Sequence, residues 1–162
     1  MINAVPQGAR ILEIGSGPGF DADFLDRHGL SVRRTDAAQA FVDFQSERGK
    51  RAEKLDLIGD ELGGPYAAVI AQYVLQHVDR ELMDLVLGKI AAALVPGGTF
   101  LASLREGEGE QEERGSEGGF YYVALWRTED FEQRLNKAGL QIQWSIEMED
   151  EDGRWMTILA RR

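Results

Sequence analysis

Ile11-Leu12-Glu13-Ile14-Gly15-Ser16-Gly17-Pro18-Gly19 is the stretch on which the fold turns. A short apolar run enters a loop with glycine at every second position, and Phe20, Phe24 and His28 then recur at helical i, i+4 spacing. A strand, a glycine loop and a helix in that order make a corner suited to a nucleotide-like ligand. Glycine lets the backbone turn tightly and keeps Cβ atoms away from whatever lies over the loop. The first turn of the helix leaves N–H groups free to bond it.

Outward from this corner the chain alternates. Arg10–Ile14 reads as a strand and 20–28 as a helix stopped by Gly29. Residues 31–35 form a second strand running into Asp36, followed by a helix over 37–48 with Phe41 and Phe44 facing inward and Gly49 as its stop. The short polar segment 50–54 has weak strand character suited to a sheet edge. After Leu55-Asp56-Leu57 and a turn at Gly63-Gly64-Pro65, residues 67–71 read as a buried strand and 72–78 as a loop. Asp79 is the expected N-cap of a helix reaching Leu94, with Leu82, Val86, Ile90 and Leu94 on one face. Pro96-Gly97-Gly98 ends it, and 99–104 is the next strand.

Residues 105–119 contain no apolar side chain and are expected to form a mobile acidic loop rich in Gly and Glu. The aromatic run 120–126 follows. Thr128 caps an expected helix with Glu129 and Asp130 in its first turn and Phe131, Leu135 and Ala138 inward. Leu140, Ile142, Trp144 and Ile146 alternate along a strand, and an acidic turn leads into a last strand over 154–160, so at least one of this final pair runs antiparallel. The alternation predicts one α/β domain over residues 1–162, a sandwich around a mainly parallel sheet.

Composition narrows the function. Asp plus Glu number 28 against 18 Lys plus Arg, a net charge of −10, which argues against a nucleic-acid partner because phosphate backbones are bound by cations. There is no cysteine, which removes disulfides, thiolate metal sites and a thiol nucleophile, and with two histidines no metal site is expected. Neither a signal peptide nor a membrane-spanning run is visible, so the expected location is the cytoplasm and no membrane partner is expected.

Gly15-x-Gly17-x-Gly19 places the third glycine one residue earlier than the dinucleotide fingerprint does, and Glu13 precedes the first glycine by two. This acidic-x-Gly-x-Gly-x-Gly pattern resembles the first motif of the class I S-adenosylmethionine-dependent methyltransferases, small-molecule type, and the resemblance runs from about Gly8 to Ala160. It implies a three-layer sandwich with a seven-stranded, mainly parallel sheet and an antiparallel last strand. It also implies S-adenosyl-L-methionine as cofactor, with S-adenosyl-L-homocysteine as product. The resemblance places Glu13, Gly15, Ser16, Gly17 and Gly19 of the loop at the cofactor. It places Asp36 and Ala37 at the ribose, Asp56 between Leu55 and Leu57 at the adenine, and Gln72 and Tyr73 at the methionine end. A carboxylate at position 36 can accept from two vicinal hydroxyls at once. His77 is the candidate general base, and Tyr73, His77, Tyr121, Tyr122 and Trp126 are candidates for lining the acceptor site.

The expected reaction is in-line methyl transfer to a small molecule. Two alternatives stand beside it: a cofactor-binding domain with little catalysis of its own, and an NAD(P)-dependent oxidoreductase on a similar sheet. The first arises because members of the family carry helices ahead of the first strand, whereas nine residues precede Arg10, so the cap is expected to be shortened or absent. An open pocket of that kind favours a homodimer.

Overall fold

The computed structural model describes residues 4–115, 118–151 and 153–162. Its centre is a seven-stranded sheet. Strand β1 (Arg10–Ile14) pairs in parallel with β2 (Ser31–Asp36) on one side and with β4 (Tyr66–Gln72) on the other; β2 pairs in parallel with the edge strand β3 (Ala52–Lys54). Beyond β4 lies β5 (Leu94–Arg105), again parallel, and then β9 (Gly153–Arg161), antiparallel to both β5 and the outermost strand β8 (Gln141–Asp150).

The connections explain the layers. Helices α1 (Phe20–Arg27) and α2 (Gln39–Glu47) link β1 to β2 and β2 to β3, whereas α3 (Met83–Ala93) links β4 to β5 in the opposite direction across the sheet. Right-handed crossovers therefore put α1 and α2 on one face and α3 on the other. Leu25 of α1 packs with Ile11, Ala68 and Ile70 on the first face. The larger core lies on the second face, where Met83, Val86, Leu87 and Ile90 of α3 and Phe131 and Leu135 of α4 (Thr128–Lys137) meet Leu12, Val69, Phe100, Met156 and Ile158. The strand order reverses between β1 and β4, and at such a switch point the carboxyl ends of the strands leave a crevice.

Several expectations change. Phe41 and Phe44 do not face inward: α2 buries Val42 and Gln45, and both phenylalanines are more than a third exposed. Asp79 does not cap an α-helix; a short 3-10 helix over Arg80–Leu82 precedes α3, which ends at Ala93 because Leu94 already belongs to β5. Thr128 is the first residue of α4 and not its cap, which is Arg127.

The segment 105–119 is not one loop. Arg105 ends β5, and β6 (Glu110–Arg114) forms an antiparallel hairpin with β7 (Phe120–Ala124). A strand of Glu, Gln and Arg holds because its partner supplies the apolar contacts, with Val123 and Ala124 fully buried. The ion pair of Arg105 with Glu113 then ties the hairpin to β5. Residues 116 and 117 of the expected loop lie outside the described residues. In β8 the register shifts between Ile142 and Trp144, so the side chains do not alternate through Gln143 as expected. Ile142 packs towards the core while Trp144 and Ile146 are exposed.

Candidate active site

A cavity of about 540 Å³ opens where β1, β2 and β4 end, and the glycine loop forms its floor. Glu13, Ile14, Gly15, Ser16, Gly17 and Pro18 enter it from β1 and the loop, Asp36, Ala37 and Ala38 from the end of β2, Leu55 and Leu57 from beyond β3, Gln72 from the end of β4, and Tyr73, Val74 and His77 from beyond it. Phe20, Asp21 and Phe41 complete its lip. Of these, Ile14, Pro18, Phe20, Asp21, Ala38, Phe41 and Val74 are not among the sequence candidates. Apolar residues at helical spacing read as core, and only the folded chain places Phe20 and Phe41 on the lip.

The loop is fixed from behind. Gly15 has φ 65°, and a Cβ there would run into Val74 Cγ2, so only glycine fits. Gly17 N–H donates to Asp36 Oδ2 at 2.8 Å, and Ala38 N–H donates to Asp36 Oδ1 at 2.8 Å. Asp36 thus bridges the loop and the start of α2 and keeps lone pairs on both oxygens for a ligand. Each carbonyl from Gly17 to Gly19 is held by a side chain from β2, α2 or the residue after α2. Gln45 Nε2 donates to Gly17 O at 2.9 Å, Arg48 Nη1 donates to Pro18 O, and Arg34 Nη1 donates to Gly19 O at 3.5 Å. Gln45 is fully buried, and its Oε1 accepts from Arg34 Nη1 at 3.3 Å. Gly19 does not line the cavity; it makes room for Gln45, whose Oε1 a Cβ at that position would strike. Arg34, 2 % exposed, is neutralised by Asp23 and Asp26. Burial works against the charge on Asp23, but hydrogen bonds from Lys50, Arg34 and Arg48 outweigh it and hold its carboxyl far below the usual range.

Glu13 is the most perturbed group in the cavity. Its side chain is 3 % exposed and accepts a hydrogen bond from Ser16 Oγ. Burial, reinforced by the charge of Asp21 and opposed by the Ser16 hydrogen bond, raises its pKa from 4.5 to about 7. Asp56, expected at the adenine, does not line the cavity. Its Oδ1 accepts from Ile58 N–H at 2.9 Å and its N–H donates to Asp60 Oδ2 at 2.8 Å, which closes a solvent-facing turn between the two leucines that do line it.

On the opposite wall Tyr73 sits at φ 57°, a conformation non-glycine residues adopt at a cost. Its ring meets the edge of Trp155 at 5.1 Å, and the Arg105 guanidinium lies over that indole at 4.8 Å. His77 Nδ1 is 3.0 Å from Tyr122 O, and its ring meets Tyr121 at 5.6 Å. The Tyr121 hydroxyl in turn donates to Glu113 Oε2 at 2.9 Å. The hairpin β6–β7 thereby holds the His77 ring from behind, without itself lining the cavity. Three expected acceptor-lining residues do not line the cavity, Tyr121 reaching it only through His77. Tyr122 contributes its carbonyl here, but its ring lines a separate cleft with Arg80 and Glu110. Trp126 is fully buried, its indole flanked by the guanidinium groups of Arg80 at 3.8 Å and Arg134 at 4.7 Å.

The fold recurs in solved structures. A methyltransferase of Methanosarcina mazei described as SAM-dependent superposes with a TM-score of 0.86 at 15 % identity, covering 99 % of this chain and 95 % of that one. The 1,6-didemethyltoxoflavin-N1-methyltransferase of Burkholderia thailandensis, solved with 1,6-didemethyltoxoflavin and S-adenosylhomocysteine, gives 0.75 at 18 % identity over 96 % of this chain and 72 % of that one. Among curated proteins, the ubiquinone biosynthesis O-methyltransferase of Xanthomonas campestris is 29 % identical over 106 residues, and the match spans 60 % of this chain but only 44 % of that relative's length. The family described as a methyltransferase domain matches residues 3–144. With the strand order, the glycine loop and the cavity at the switch point, that match shows that the chain belongs to the methyltransferase domain family and has the class I S-adenosylmethionine-dependent methyltransferase fold.

Proposed function

We propose that this chain transfers a methyl group from S-adenosyl-L-methionine to a small-molecule acceptor, in the cytoplasm. One observation carries the reading. The cavity at the switch point is lined by three carboxylates, Glu13, Asp21 and Asp36, and by no Lys or Arg among the described residues. Such a lining repels the pyrophosphate of a dinucleotide and suits a ligand that is cationic and rich in hydroxyls. Bound there, the cofactor supplies an activated methyl group on a sulfonium.

The residues of the chain divide the remaining work. Asp36 accepts from the ribose hydroxyls, and Leu55 and Leu57 flank the base. Glu13, which forms no ion pair among the described residues, faces the cationic methionine end. Tyr73 and His77, the latter held in place by the hairpin behind it, orient the acceptor and exclude water, which is most of what an in-line displacement asks of a protein. His77 handles the proton. Because Tyr122 O can only accept, Nδ1 carries the hydrogen, and in the neutral ring Nε2 is left as an acceptor for a hydroxyl or ammonium proton. His77→Ala is expected to lower kcat by about 100- to 10,000-fold while S-adenosyl-L-homocysteine still binds. An unchanged kcat would remove His77 from the reaction.

The direct test is calorimetry with S-adenosyl-L-methionine, S-adenosyl-L-homocysteine and NAD. Failure of both sulfur ligands to bind overturns the proposal, and binding of NAD alone would replace it with the oxidoreductase reading. The support behind the loop is tested separately. Gln45→Glu keeps an oxygen for Arg34 but sets a buried acceptor against Gly17 O, so S-adenosyl-L-homocysteine should bind about five- to tenfold more weakly and the melting temperature should fall as well. Unchanged affinity would show that Gln45 only satisfies Arg34.

A further inference from the structure

Strand β8 is the outer edge of the sheet, and among the described residues no strand lies beyond it. It packs against β9 and, on the core side, against α4. After the register shift at Gln143, Trp144 stands opposite Leu159, Ile146 opposite Thr157 and Met148 opposite Trp155. Residues opposite each other share a face, and this face is the one away from Ile142, Ala160 and the core. Helices α1 and α2 cover it over β1 to β4, where Leu25 meets Ile11, Ala68 and Ile70, and neither is among the elements packed on β8. Trp144, Ile146 and Met148 are therefore 40 %, 53 % and 55 % exposed at alternate positions of a ten-residue strand. A long edge with open backbone groups and an apolar face is a template for another strand.

We propose that the occupant is a second copy of this chain, the two β8 strands pairing antiparallel about a two-fold axis at Ile146. The sequence is self-complementary in that register. Ile146 meets Ile146, each Trp144 meets the partner's Met148, and each Ser145 hydroxyl meets the partner's Glu147 carboxylate. No like charges stand directly opposite from 144 to 148, and the apolar residues all fall on the uncovered face. Shifting the axis one residue to Glu147 would set two carboxylates against each other. The pairing joins two sheets into one, an isologous contact as a two-fold requires. It also brings the second copy towards the Tyr73 side of the cavity, because Met148 stands opposite Trp155, whose indole meets Tyr73.

The chain has no cysteine, so a single introduced thiol reports the register. Opposed Cα atoms in an antiparallel pair lie about 4.5–5.5 Å apart, within disulfide reach. Sedimentation of the wild-type protein should give a dimer that tightens with added salt, since each copy carries −10 and the two Glu147 side chains sit diagonally across the axis. Ile146→Cys should become a covalent dimer on mild oxidation, whereas Ser31→Cys, at the far side of the sheet, should not. Ile146→Lys, at a half-exposed position, should keep its circular dichroism spectrum and sediment as a monomer. A wild-type monomer at all micromolar concentrations overturns the proposal. So does a dimer that survives Ile146→Lys, or an Ile146→Cys dimer that does not cross-link.

Discussion

Asp36→Ala is expected to weaken binding of S-adenosyl-L-homocysteine by about 2–3 kcal/mol, about 30- to 150-fold in Kd. The carboxylate serves two roles at once. Its two oxygens already accept Gly17 N–H and Ala38 N–H, each at 2.8 Å, so it fixes the glycine loop to the start of α2 before any ligand arrives. The remaining lone pairs face the cavity and are the ones proposed to take the ribose hydroxyls. Alanine removes both functions. Asp36→Asn is informative in a different way: it keeps the volume but leaves one oxygen, and the new amide NH2 must then point at one of two backbone N–H donors. Both variants should therefore lose affinity, alanine more, and melting temperatures recorded alongside separate binding from folding. Wild-type affinity in Asp36→Ala would remove this residue from the ligand site.

The parts of the site legible in the sequence are those where backbone chemistry dictates residue type. A glycine at φ 65° against Val74 has no substitute, and an acid at the end of β2 falls within reach of the loop through a parallel pairing of β1 and β2 that the apolar runs themselves announce. Asp56 shows the limit of that logic. The segment is at the site, but its two leucines line the cavity while its carboxylate closes a turn. Hydrophobicity alone does not separate core from cavity lip, which is why Phe41 reads as inward. Gln45 and Arg34 have no pattern to betray them: polar residues at those positions read as surface, and their burial follows from a charge network with Asp23 and Asp26 that exists only in the folded chain. The hairpin β6–β7 is hidden for a related reason. Glu110–Arg114 has a loop's composition, and its strand structure depends on Tyr121, Val123 and Ala124 in the strand it pairs with. In β8 a single bulge at Gln143 moves Trp144 and Ile146 from the core face to the open one.

Glu13 couples folding and ligand binding to pH in a way that can be measured. Burial raises its pKa from 4.5 to about 7, so the folded chain holds a proton there that the unfolded chain releases. Below pH 4.5 the group is protonated in both states and costs nothing. Between about 4.5 and 7 the folded state binds more protons than the unfolded one, so stability falls as pH rises. Above 7 the full penalty of a buried carboxylate is present, about 3 kcal/mol. The depressed carboxyl of Asp23 acts oppositely and in another window: it stabilises above its unfolded value of 3.8 and is lost on acidification, so the two do not overlap. Glu13→Gln should accordingly raise the unfolding free energy by about 3 kcal/mol at pH 8, leave it unchanged at pH 4, and flatten the slope between. The same substitution should impair binding of S-adenosyl-L-methionine, because the cationic ligand is proposed to supply the countercharge that the fold itself withholds from this carboxylate. In the wild type, binding near pH 7 should then release about half a proton per site, read as a dependence of calorimetric enthalpy on the ionisation enthalpy of the buffer. A Glu13→Gln variant with the wild-type pH slope of stability would place the raised ionisation elsewhere. Proton release that persists in that variant would detach it from Glu13. Stabilisation at pH 8 combined with weakened binding would identify Glu13 as a group held at a cost in folding for the ligand it receives.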